Sequence, residues 1–88
     1  MIENNLLKIQ RRPEVLSLFG ISKTNAQDQI KAGTLPPPIL IGKRCVGWLQ
    51  HENNAVLAAL VAGKNKDERK ALVASLIAKR ETYLKEYL

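Results

Sequence analysis

Between Arg11 and Trp48 the chain is punctuated by residues that leave its backbone few choices. Gly20 and Gly33 each close a short run with helical patterning, and Pro36-Pro37-Pro38 follows almost at once. Proline fixes φ, lacks an N–H and disfavours helix in the residue before it, so the triplet forces an extended segment. The only economical reading is two short helices about a Gly-centred turn, then a strand, a turn and a second strand.

Each piece has a local physical reason. Pro13 suits the first position of a helix, where its missing N–H costs nothing. Val15, Leu16, Leu18 and Phe19 give that helix an apolar stripe before Gly20 caps it in the left-handed conformation. Ile21 plugs the turn, and Ser22 is placed as N-cap of the next helix, Lys23 to Ala32, which stops at Gly33. Ala26 and Ile30, four apart, are its clearest inward residues. Lys23, Thr24, Asn25, Gln27, Asp28, Gln29 and Lys31 are all polar, which suits a helix whose outer face meets a polar partner. Ile39–Ile41 and Cys45–Leu49 read as two strands joined through Gly42-Lys43-Arg44. Gly42 is expected to take the positive φ of a tight reversal. Trp48 is expected to be the main core anchor beneath both helices.

A third helix is expected from Leu49 or Gln50 through Val56, Leu57, Leu60 and Val61, with His51 exposed at its start. Gly63-Lys64-Asn65-Lys66 breaks it. Asn65, with Glu68 three positions on, has capping-box spacing and opens a last helix from about Lys66 to Tyr87. Leu72, Val73, Leu76, Ile77, Tyr83, Leu84, Tyr87 and Leu88 form its apolar set, interrupted by Lys79 and Arg80. The fold expected is mostly α with a small β-hairpin. Residues 1–64 would form the domain built on the two-helix unit, and 65–88 a C-terminal helix serving as an oligomerisation element or packing back on the third helix.

Charge selects among functions. The 88 residues hold 14 Lys and Arg against 8 Asp and Glu, a net charge of +6. Residues 6–64 hold eight basic and three acidic side chains, so the excess lies with the two-helix unit, where a polyanion partner needs it. Cys45 is the single cysteine and His51 the single histidine, so no disulfide and no metal-ligating set is expected. No Ser or Cys has a base partner at motif spacing and no Gly-rich phosphate loop occurs. An enzyme, a cofactor and a small-molecule substrate are therefore not expected. The apolar runs Ala55–Gly63 and Ala71–Ala78 fall short of the ~20 residues of a membrane span, and Met1–Asn5 lacks the pattern of a secretory signal. A cytoplasmic, bacterial location is expected, on the nucleoid when bound.

The motifs Arg12-Pro13-Glu14-Val15, Phe19-Gly20-Ile21-Ser22-Lys23-Thr24, Ile30-Lys31-Ala32-Gly33, Leu35-Pro36-Pro37-Pro38, Ile41-Gly42-Lys43-Arg44 and Val46-Gly47-Trp48-Leu49 together resemble the AlpA family of phage-type regulators. That family is related to the excisionases and, more distantly, to MerR-type winged DNA-binding domains. The resemblance spans roughly Leu7 to Leu60. It implies a winged helix-turn-helix, no enzymatic activity, and a role in a prophage or genomic island. Some members activate transcription of an integrase or excision gene. Others are recombination directionality factors that bend attachment-site DNA and recruit integrase. Three differences stand out. Gln27 and Asp28 occupy positions where members usually carry an aromatic residue and an Arg, which bears on the target sequence rather than the fold. Glu52 is followed by Asn53 and Asn54 rather than an aliphatic residue, which is expected to weaken packing there. Residues 65–88 lie outside the resemblance.

Double-stranded DNA is thus the expected partner, with a second copy (through 66–88) or an integrase as protein partners. A protein-interaction adaptor with an acidic partner is the weaker alternative. In a helix-turn-helix the first turns of the second helix approach base edges, which assigns Ser22, Lys23, Thr24, Asn25, Gln27, Asp28 and Lys31 to recognition. Asn and Gln amides pair bidentately with adenine, and Asp accepts from the cytosine amino group. Asp28 also repels phosphates, so it must point at a base or be offset by a nearby cation. Lys43 and Arg44 at the hairpin tip, with Arg11 and Arg12 before the first helix, are assigned to phosphate.

Overall fold

In a computed structural model that describes residues 7–87, the element order is β1 (Ile9–Gln10), α1 (Arg12–Phe19), α2 (Lys23–Ala32), β2 (Ile39–Leu40), β3 (Val46–Leu49), α3 (Gln50–Val61), α4 (Lys66–Ala78) and α5 (Arg80–Tyr87). The winged helix-turn-helix is present: α1 and α2 meet at Gly20, and β2 and β3 form the hairpin wing behind them. Gly20 and Gly33 adopt the left-handed cap, with φ of 66° and 83°. α1 starts one residue earlier than expected, with Arg11 as N-cap and Glu14 accepting the Arg11 N–H at 2.8 Å. Pro13 thus sits at the second helical position, where an N–H would also be unpaired.

The small sheet has β3 at its centre, antiparallel to both β1 and β2. The sequence gives no sign of β1, because two residues carry no alternation to detect. It pairs Ile9 with Leu49 and Gln10 with Trp48, and Gln50 extends the ladder by donating to the Lys8 carbonyl at 2.8 Å. The wing closes differently from the expectation. Gly42 lies outside the positive-φ region; the Ile41 and Gly42 N–H groups both donate to the Cys45 carbonyl, at 2.9 and 3.2 Å. A loop of that length turns without a mirror-image turn, so no left-handed residue is needed.

Trp48 is buried, at 3% exposure, among Val15 and Leu16 of α1, Ala26 and Ile30 of α2, and Leu35. It joins the two helices to the wing, as expected. A second cluster, Val56, Val73 and Leu76, is bordered by Phe19, Ala55 and Leu72. α4 therefore packs on α3 and reaches α1, while Ile77 and Leu84 of the expected apolar set remain exposed.

Three expectations about the C-terminal half need correction. The single helix from Lys66 to Tyr87 is two: its hydrogen bonding breaks at Lys79, whose carbonyl accepts both the N–H and the hydroxyl of Thr82, at 3.0 and 2.6 Å. His51 is half-buried rather than exposed, with Nε2 2.6 Å from the Tyr83 hydroxyl and the two rings edge to face. Asn53 is built into the packing, with its Oδ1 buried and without a hydrogen-bond partner among the described residues. It is fully buried and its Nδ2 donates to Gln10 Oε1 at 2.9 Å, tying α3 to β1. The Asn65–Glu68 capping box forms as expected, with reciprocal bonds of 2.8 and 3.0 Å.

Candidate nucleic-acid interface

α2 is held by its buried side and its ends, which leaves a polar face outward. Ala26 is buried and Ile30 half-buried. Ser22 Oγ accepts the Asn25 N–H at 3.1 Å, so its oxygen serves as the cap that starts the helix. At the other end Gly33 and Thr34 return their N–H groups to the Ile30 and Gln29 carbonyls, at 3.1 and 3.0 Å. Lys23, Thr24, Asn25, Gln27, Asp28 and Lys31 are all exposed. The segment from Ser22 is thus an uncovered, capped helix with its hydrogen-bonding side chains free toward solvent.

One pair on this face is already organised. Gln29 Nε2 donates to Asn25 Oδ1 at 2.8 Å. This bond orients the Asn25 amide with its nitrogen directed away. Asp28 makes no ion pair among the described residues.

The basic residues divide into two groups. Lys43 and Arg44 are exposed at the wing tip, in the bend from Gly42 to Arg44. Arg11 is also exposed, and its Nη2 lies 3.9 Å from Cys45 Sγ, so it stands next to the wing rather than apart from it. Arg12 is half-buried, with its guanidinium carbon 5.6 Å from the centre of the Trp48 ring. Cation–π stacking holds it there, and it borders a cleft with Gln27, Asp28, Lys31 and Pro38. Arg11 therefore stands with Lys43 and Arg44 at the wing, and Arg12 borders the α2 cleft beside Trp48.

A buried ion pair supports this arrangement from behind, and no sequence pattern announced it. Glu52 is fully buried, and Arg80 donates to both its carboxylate oxygens, at 2.9 and 2.7 Å. A second bond from Arg80 Nη2 reaches the Pro37 carbonyl at 2.9 Å. Arg80 thereby fastens α5 both to α3 and to the proline segment that leads into the wing. The Glu52 hydrogen bond holds the Arg80 pKa above its ordinary value. The pairing spans 28 residues, so it was visible only as an unexplained interruption of an apolar stripe.

No group of three or more potential metal ligands occurs among the described residues, and no helix there is long and apolar enough to cross a membrane. Comparison with known proteins adds the lineage. The family model described as prophage CP4-57 regulatory protein (AlpA) matches residues 8–54, β1 through the first turn of α3. The Uncharacterized protein ORF88 of Enterobacteria phage P4 is 36% identical over 56 residues, which cover 64% of this chain and 64% of that protein. The chain thus aligns with less than two thirds of that relative's length. No solved structure matches. The two-helix unit, the proline-led wing and the Trp48 anchor all fall inside the matched span, and the chain belongs to the AlpA family of prophage regulatory proteins.

Proposed function

We propose that the protein is a sequence-specific, duplex-DNA-binding regulator of a prophage or genomic island, and that it activates transcription of an integrase or excision gene. The observation that carries this reading is the uncovered polar face of α2, six exposed side chains from Lys23 to Lys31, set beside a basic wing. A helix with its side chains is about as wide as the major groove, and base edges there present distinct donor and acceptor patterns. In this reading Asn25 and Gln27 read base edges, and Thr24 and Asp28 lie at the crest of the helix. Lys23 and Lys31 reach the groove walls, and the remaining Ser22 hydroxyl hydrogen meets a phosphate. Lys43, Arg44, Arg11 and Arg12 hold the backbone on the wing side, which fixes register without reading sequence.

Regulation and recombination use the same interface and differ in how copies are arranged on DNA. Footprinting over the DNA flanking the gene itself separates them. A single protected site beside a promoter is the result expected. Adjacent protected sites filled cooperatively on a bent duplex would replace the activator reading with that of a recombination directionality factor. Absence of preference for any duplex would favour an adaptor that meets an acidic protein.

A further inference from the structure

α2 stands as a ridge between two clefts. On one side Gln27, Asp28 and Lys31 face Arg12, Pro38 and Trp48. On the other Asp28, Gln29 and Ala32 face Thr34 together with Lys66 and Arg69 of α4. Asp28 borders both clefts and so marks the crest. Lys70 lies on the same far flank, with side-chain carbons 3.8 and 3.9 Å from where a Cβ on Gly33 would stand. Lys66 and Arg69 of α4 therefore line the C-terminal turns of the α2 flank away from the wing cleft, and Lys70 lies beside the Gly33 cap.

We propose that Lys66, Arg69 and Lys70 hold the second phosphate backbone of the DNA, making α4 part of the interface. This rests on α2 occupying a major groove. The groove is about 12 Å wide and a helix with side chains about 10–12 Å across, so a strand of phosphates runs along each flank of an inserted helix. The wing meets one strand. The element that stands along the other flank is α4, and it presents a basic cluster there. The helix end is not the attraction, since Asn65 Oδ1 already takes the Glu68 N–H and the Glu68 carboxylate is engaged at the Asn65 N–H. Lys66 and Lys70 are exposed; Arg69 is half-buried, and its Nε is buried without a hydrogen-bond partner. The same cations offset the repulsion between Asp28 and phosphate. All three lie beyond residues 8–54, so the family match does not include them.

The test is a salt titration of the full chain binding a duplex that carries its footprinted site, read by fluorescence anisotropy. Lys66→Ala/Arg69→Ala/Lys70→Ala is compared with wild type, with Lys43→Ala/Arg44→Ala, and with Lys79→Ala/Lys85→Ala. Lys79 is about 20 Å along the helix axis from Lys66 and about 14 Å from Lys70, beyond the ~10 Å screening length at 0.1 M salt, so the last variant removes charge while leaving the α4 cluster in place. The α4 triple variant should lose roughly 10- to 100-fold in affinity at 0.1 M salt and flatten the log–log salt slope by about 2–3; the Lys79/Lys85 variant should do neither. Lys66→Glu/Lys70→Glu alters only exposed positions, keeps the helix intact and should bind more weakly still. If both α4 variants bind like wild type while the wing variant is weakened, the α4 contact is overturned and the DNA reading stands. If wild type binds no duplex at all, both fall.

Discussion

Gly47 shows how tightly one residue can be specified. It sits on β3 between β1 and β2, paired with Ile39, and a Cβ there would collide with the Ile9 side chain and stand 3.4 Å from the Gln10 carbonyl. Gly47→Ala should therefore cost about 1–3 kcal/mol through overpacking; an unchanged urea midpoint would contradict the close approach. Asn25 is exposed, and the role proposed for it sets its constraint instead. Its Oδ1 is taken by Gln29, which leaves its amide nitrogen for a base. Asn25→Ala should relax preference at one base position by ~1–3 kcal/mol while leaving affinity for unrelated duplexes intact. A panel of single-base variants of the bound site would show it, and a uniform loss across the panel would assign Asn25 to phosphate. At this scale much was legible from sequence, because caps, crests and left-handed turns are set by neighbours a few residues away. Ser22, Gly20, Gly33 and Asn65 all do what their local chemistry demands. Asn53 and His51 are not legible for the opposite reason: their partners, Gln10 and Tyr83, are 43 and 32 residues distant.

The same distinction governs the elements. α1, α2, the wing and α3 are legible because Gly and Pro punctuate them, whereas the break between α4 and α5 carries neither residue and is marked by the bonds of Thr82 to the Lys79 carbonyl. Arg80, the first residue after the break, donates to Glu52 and to the Pro37 carbonyl. Removing one member leaves the other charge buried, which costs about 3–5 kcal/mol. Arg80→Met should thus destabilise the protein severely, and Glu52→Met/Arg80→Met should recover much of the loss. Equal thermal midpoints for wild type and Arg80→Met would show that the pair holds nothing together. Tyr83 gives α5 a second anchor with its own pH dependence. Burial, then the charges of Glu52 and Glu86, raises its pKa above the ordinary value of 10.0. A raised pKa means that the folded state favours the neutral phenol. That stabilisation is complete below pH ~10 and fades as pH rises through the folded value. Tyr83→Phe should remove this alkaline component from the melting temperature measured between pH 8 and 11. An identical pH profile in the variant would mean that Tyr83 titrates as it does in the unfolded chain.

For the molecule as a whole, the C-terminal helices brace the two-helix unit through α3 and α1. Val73 and Leu76 join Val56 in one buried cluster, with Phe19 of α1 packed against it, so residues beyond the family match are built into the core. Substituting Lys43 and Arg44 with Ala should weaken binding to every sequence alike and lower the salt slope by roughly one for each phosphate no longer neutralised; equal binding across the titration would remove the wing from the interface. All of this depends on which groove α2 enters. Dimethyl sulfate interference on the bound site reports that directly, since guanine N7 lies in the major groove and adenine N3 in the minor. With the outward face of Lys23–Lys31 in the major groove, methylation of guanine N7 at the centre of the site should abolish binding, while adenine N3 there should be indifferent. Interference confined to adenine N3, with central guanines tolerated, would contradict the account.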